Sequence, residues 1–110
     1  MMSVPLQITF RKMAVSPFVR ARVRERAGRL TRLYPRIVNC RVVVEAPHRR
    51  HHKGKLYTVV VEMKVPGGTL ASHRNPDARH AHEDIYVAMR DAFDAAERQL
   101  QEHLGRKSLA

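Results

Sequence analysis

A chain of 110 residues is short for two domains and is expected to form one domain, residues 1–110, around one modest core, which excludes a large catalytic scaffold. Hydrophobic residues make up 44% of it and run along the whole chain, enough for that core and against disorder. The 21 Lys and Arg exceed the 10 Asp and Glu by 11, a surplus that repels itself and points to a polyanionic partner such as nucleic acid.

Residues 4 to 10 alternate, with Val4, Leu6, Ile8 and Phe10 on one side and Gln7 and Thr9 on the other, the period of a half-buried strand. Pro5 near its start predicts an edge position. Ser16 followed by Pro17 is a helix start, because the hydroxyl accepts from an orphan amide and proline suits the first helical position. The helix is expected to run to Tyr34 on an apolar stripe of Val19, Val23, Ala27, Leu30 and Tyr34, with Pro35 as its stop.

From Ile37 to Ala46 the chain is β-branched, with Cys40, Val42 and Val44 on one face of a second strand. The basic segment HRRHHKGK reads as a loop or hairpin tip. A third strand follows with Tyr57, Val59, Val61, Met63 and Val65 on one face, then a Pro66-Gly67-Gly68 turn and a short fourth strand around Thr69 to His73. The stretch HRNPDARHAHED has no clean period and reads as a loop. A second helix is expected from about Glu83 to Leu104, with Ile85, Met89, Ala92, Phe93, Ala96, Leu100 and Leu104 inward, Asp84 at its start and Gly105 just past its close. The fold class is therefore α+β in the order β-α-β-β-β-α. Strands one and two, joined through a helix, must be parallel with a right-handed crossover, and the next two connections are hairpins. This gives a four-stranded mixed sheet with both helices on one face.

The charge is uneven: residues 1–55 hold fourteen basic and two acidic residues, residues 56–110 seven and eight. Sixteen of the cations are Arg, whose planar fork fits phosphate and stacks on bases. In the first helix Arg22, Arg26 and Arg29 fall at i, i+4 and i+7 on one flank of the stripe, Arg32 continues the row, and Arg20 and Arg24 lie on the other side, with Glu25 the only acid. Like charges so spaced repel, and the helix is read as built to lie against phosphates; the bland alternative is a solvated basic face. Arg49, Arg50 and Lys53 in the basic loop join the candidates on charge alone.

Catalytic constellations fail on spacing. His48, His51 and His52 in one loop and His73, His80 and His82 in another do not fix a metal tetrahedron, and no H-E-x-x-H pattern is present; the imidazoles are read as RNA contacts, with a metal site and a His-dependent metal nuclease as alternatives. Cys40 sits mid-strand as a buried thiol. Asp91 and Asp94 lie on an exposed helix flank, no helix begins after Gly67-Gly68 to cradle a phosphate, and Tyr86 and Phe93, at heptad spacing, read as core. No catalytic residue, cofactor or small-molecule substrate is therefore expected. A single cysteine, the absence of a secretory h-region and the lack of any bilayer-length apolar run predict a cytoplasmic protein with no membrane partner.

The second helix reads D-x-Y-x-A-M-x-x-x-F-D-x-x-x-R-Q-L from Asp84 through Tyr86, Ala88, Met89, Phe93, Asp94, Arg98 and Gln99 to Leu100. Leu30, Tyr34 and Ile37 lead into Cys40-Arg41-Val42, and Gly54-Lys55-Leu56-Tyr57 precedes Pro66-Gly67-Gly68. In these motifs the chain resembles the ribosome hibernation promoting factor family, also called ribosome-associated inhibitor or sigma-54 modulation proteins. The resemblance implies the β-α-β-β-β-α fold and a non-enzymatic translation inhibitor. Such a protein binds the small ribosomal subunit and its rRNA and blocks the mRNA and tRNA channel during hibernation or stress. The basic positions it carries over are Arg26, Arg29 and Arg98. Its second helix departs from the family in being acidic, with Asp91, Asp94, Glu97 and Glu102 where lysines are usual. Ending at Ala110 without a further domain, the chain resembles a short form, expected to be monomeric when free and not to pair ribosomes unaided. The alternative is a regulatory protein- or RNA-binding module that does not act on the ribosome.

Overall fold

A computed structural model describes residues 4–46, 57–72, 80–82 and 84–109, with side chains described over 4–46, 57–72 and 84–105. Strand β1 (Leu6–Arg11) turns Leu6, Ile8 and Phe10 against the core, as the alternation predicts. Helix α1 (Pro17–Leu33) starts where the sequence places it: Ser16 Oγ accepts from the Val19 amide at 3.3 Å, and Pro17 takes the first helical position. At the other end the Tyr34 amide donates to the Leu30 carbonyl at 2.9 Å, and Pro35 stops further winding. Val19, Val23, Ala27 and Leu30 are buried, with Tyr34 half-buried beside them.

Strand β2 (Asn39–Glu45) runs parallel to β1, pairing Leu6 with Cys40 through Arg11 with Glu45. Strand β3 (Tyr57–Val65) returns antiparallel, from Asn39 opposite Lys64 to Glu45 opposite Thr58. A turn of Pro66 and Gly67, the latter at φ +93° where a side chain is strained, then reverses the chain into β4 (Gly68–Ala71). The sheet order is β1-β2-β3-β4, so β1 is an edge, in keeping with Pro5.

The stretch after Ser72 is not wholly loop: β5 (His80–His82) also pairs antiparallel with β3, His80 opposite Val59 and His82 opposite Tyr57. Segments β4 and β5 thus share one lane beside β3, a four-lane mixed sheet whose last lane is broken between them. Ser72 finishes the first piece. Its amide donates to the Val61 carbonyl and its buried Oγ accepts from the Val61 amide, both at 2.9 Å, so a side chain replaces the missing strand partner.

Helix α2 (Ile85–Leu109) is capped by Asp84, whose Oδ1 accepts from the Tyr86 amide at 2.9 Å while its carbonyl accepts from Ala88. It does not stop at Gly105. That glycine stays helical, at a cost of about 1 kcal/mol relative to alanine that the helix absorbs. Ala88, Met89, Ala92, Phe93, Ala96 and Leu100 of α2 join Val42, Val44, Val59, Val61 and Met63 of the sheet and the α1 stripe in one core, so both helices cover the same sheet face. Small alanines let α2 approach β3 closely, and Gln99 Nε2 ties it to the Ala71 carbonyl at 2.8 Å. No described helix is long and apolar enough to cross a membrane.

Candidate functional site

With the stripe of α1 turned inward, its six arginines occupy the remaining three sides of the helix. At 100° per residue Arg22, Arg26 and Arg29 lie on the flank toward α2, Arg32 falls further round on the outer side with Glu25, and Arg20 and Arg24 lie on the opposite flank. Arg32, in the last turn, is favoured by the negative end of the helix; the other arginines gain nothing from it.

On the α2 side the arginines have neighbours that the sequence pattern does not reveal. The Arg22 guanidinium stands over the Tyr86 ring, 5.8 Å from its centroid, a cation–π distance. Arg26 and Arg29, with Leu30 and Leu33, form one wall of a shallow groove whose other wall is Phe93, Asp94 and Glu97. These contacts advance in the same sense along both helices, so α1 and α2 run side by side in the same direction. Arg98 lies exposed on α2 among Asp91, Asp94 and Glu97. The structure therefore brings Arg22, Arg26 and Arg29 together but separates them from Arg98 by two carboxylates. Among the described residues these groups close no ion pair; the pair that closes is Arg90 with Asp91, at 3.2 Å on the surface.

The sheet face away from the helices is open and differently charged. A shallow basin of about 330 Å³ there is lined by Arg11, Arg41, Glu45 and Glu62 with Val43, Thr58 and Val60 between them. Arg41 stands opposite Glu62 and Arg11 beside Glu45, so opposite charges are neighbours across the strands. At the far end of α1 an apolar hollow of about 180 Å³ lies between the Tyr34–Ile37 turn, Val65 and Leu100, with His103 Nε2 3.1 Å from the Pro66 carbonyl.

Cys40 is 2% exposed, and burial pushes its thiol up from 9.0 to about 11, which suits packing and not nucleophilic chemistry. Of the two aromatic residues read as core, one departs from that reading. Phe93 is core at 5% exposure, but Tyr86 is 42% exposed: heptad spacing puts both on one face, yet beside Tyr86 α1 presents Arg22 in place of an apolar side chain, while Ile85, Ala88 and Met89 still pack into the core. Phe18, which heads the Arg22 flank, is 79% exposed and was not a candidate on the sequence; its position off the apolar stripe was the available signal. Arg49, Arg50 and Lys53 lie outside the described residues, as do His48, His51, His52 and His73, while His80 and His82 are described as backbone of β5.

Comparison with known proteins fits this geometry. The model of the sigma 54 modulation protein / S30EA ribosomal protein family matches residues 6–108, and the chain belongs to that family. A curated relative, the ribosome hibernation promotion factor of Deinococcus radiodurans, is 30% identical over 95 residues, 86% of this chain and 46% of the relative; the chain thus spans about half the length of that protein. Among solved structures, a ribosomal subunit interface protein from Coxiella burnetii superposes with a TM-score of 0.74 at 19% identity, covering 93% of this chain and 99% of that one. The N-terminal domain of Protein Y from Thermus thermophilus gives a TM-score of 0.63 at 19% identity, with the same coverage. These two likenesses are of fold.

Proposed function

We propose that the protein is a non-enzymatic translation silencer that associates with the ribosome, docking the basic sides of α1 on small-subunit rRNA and blocking the mRNA and tRNA channel by occupancy. The observation that carries this reading is the charge layout: six arginines and one acid on the solvent sides of α1, against an open sheet face where opposite charges sit together. The names of the relatives, a hibernation promotion factor and a subunit interface protein, support the same partner. Arg22, Arg26, Arg29 and Arg32 neutralise phosphates along α1, and Arg98 extends the contact from α2. Arg49, Arg50 and Lys53 of the basic segment HRRHHKGK supply further phosphate contacts.

Sedimentation of stationary-phase lysates tests the partner: the protein is expected in the small-subunit fractions and to leave them as salt rises. An in vitro translation titration tests the mechanism, since occupancy demands inhibition in proportion to ribosomes. Inhibition at amounts far below the ribosome concentration refutes it, and absence from the subunit fractions leaves the regulatory-module reading.

A further inference from the structure

Resting on the RNA-binding reading above, we propose that Phe18, Arg22 and Tyr86 form a stacking platform that takes an unpaired RNA base at the head of the arginine row. Phe18 and Arg22 are one helical turn apart on the same flank of α1, and Arg22 in turn covers the Tyr86 ring. Two exposed aromatic rings, 79% and 42% accessible, thus lie near one guanidinium, which stands over the Tyr86 ring and is one helical turn from Phe18. An exposed phenylalanine in water contributes nothing to this fold, because the inward positions of α1 are filled by Val19, Val23, Ala27 and Leu30.

The occupant follows from chemistry. A planar base offers a π-face to Phe18 and to the guanidinium, while the phosphates on either side of it are drawn to Arg22 and to the row beyond. An apolar protein segment meets the wrong surroundings here, since the rings stand at the edge of a run of cations. Stacking also requires a base free of its helix, so the platform selects single-stranded or looped RNA over a duplex of equal charge, a distinction that phosphate contacts alone do not make. Asp84, two residues before Tyr86, turns its Oδ1 to the Tyr86 amide as the helix cap.

The test uses a ten-nucleotide RNA with a central 2-aminopurine, free and annealed to its complement, titrated with the full chain and with Phe18→Leu, Phe18→Ala and Tyr86→Leu. Thermal melts check that each variant folds. The platform predicts quenching of 2-aminopurine by the native protein and tighter binding to the single strand than to the duplex. Each variant should lose roughly 5- to 100-fold in single-strand affinity at an unchanged salt slope, with duplex binding unaltered. Phe18→Leu is decisive because it keeps apolar area and removes the π-face. Native affinity in that variant, or no quenching, overturns the platform, as does self-association of the native protein that Phe18→Ala abolishes. Sedimentation keeps the two readings apart. If the native protein co-sediments with small subunits while the Phe18 variants bind single strands normally, the platform falls and the ribosome reading stands. Stacking without co-sedimentation has the opposite meaning, and failure to bind any RNA overturns both.

Discussion

Neutralising Arg22, Arg26 and Arg29 together to glutamine separates a phosphate-binding flank from a merely solvated one. The three side chains lie outside the buried stripe, so the core is untouched, and removing like charges a turn apart relieves about 0.2–0.5 kcal/mol per pair. Shortening Arg26, which is half-buried over Leu30 and Leu33, returns some of that gain, and the net change in stability should stay within about 1 kcal/mol. Binding should change far more. If each arginine neutralises one phosphate, the slope of log affinity against log salt becomes shallower by about 2 to 3, from roughly 0.7 per contact on single strands to 0.9 on duplex. The advantage of the native protein over the variant should then fall about 4- to 8-fold for each doubling of salt. Small-subunit association measured by sedimentation across a salt series reads this directly. The control is Arg41→Gln with Lys64→Gln on the open sheet face, where an unchanged slope is expected. An unaltered slope in the triple variant, or an equal change per charge in the control, would reduce the contact to nonspecific net charge and refute the reasoning.

Replacing Asp94 and Glu97 by Asn and Gln removes the carboxylates that face Arg26 and Arg29 across the groove; small-subunit affinity is expected to rise by up to about 5-fold per charge, checked in the same assay. Ser72→Ala strips the buried Val61 amide of its acceptor, which should destabilise the protein by about 1–3 kcal/mol, measured by urea unfolding; a loss of a few tenths refutes the assignment. Cys40 remains protonated in the fold until pH about 11 but loses its proton near 9.0 when unfolded, so stability should fall as pH rises from 9 to 11, by up to about 2.7 kcal/mol. Cys40→Ala should flatten that part of the pH profile, and thiol labelling at pH 8 should be slow in the folded protein.

Features set within a few residues were legible in the sequence. Ser16 and Pro17 determine the start of α1 through a contact three residues long, Pro35 its end, and the alternation of Cys40, Val42 and Val44 the inward face of β2. What depended on distant partners was not. The three residues of β5 carry no periodicity of their own and become a strand because Val59, Thr58 and Tyr57 of β3 offer an unpaired edge beyond Ser72. Gly105 has the composition of a helix stop, but glycine permits a stop without compelling one, and α2 continues to Leu109. For the site, the arginine flank was readable from 100° spacing, whereas its opposition to Asp94 and Glu97 arises from how α1 and α2 lie together. Exposure of Tyr86 has the same origin: periodicity gives a direction around the helix axis, and what the neighbouring helix presents there, Arg22 in place of an apolar side chain, is a tertiary fact.

Because Arg41 sits by Glu62 and Arg11 by Glu45 on one side while six arginines crowd α1 on the other, the positive charge of the described residues is displaced toward the α1 side. A polyanion therefore exerts a torque on the diffusing protein as well as a pull, and an approach that starts sheet first is turned before contact. The productive fraction of encounters rises accordingly, and association is drawn toward the electrostatically steered range of about 10⁸ M⁻¹s⁻¹ at low ionic strength. Screening shortens the reach of that torque to about 8 Å at physiological salt, so a polyanion reorients the protein only in the last layers of water.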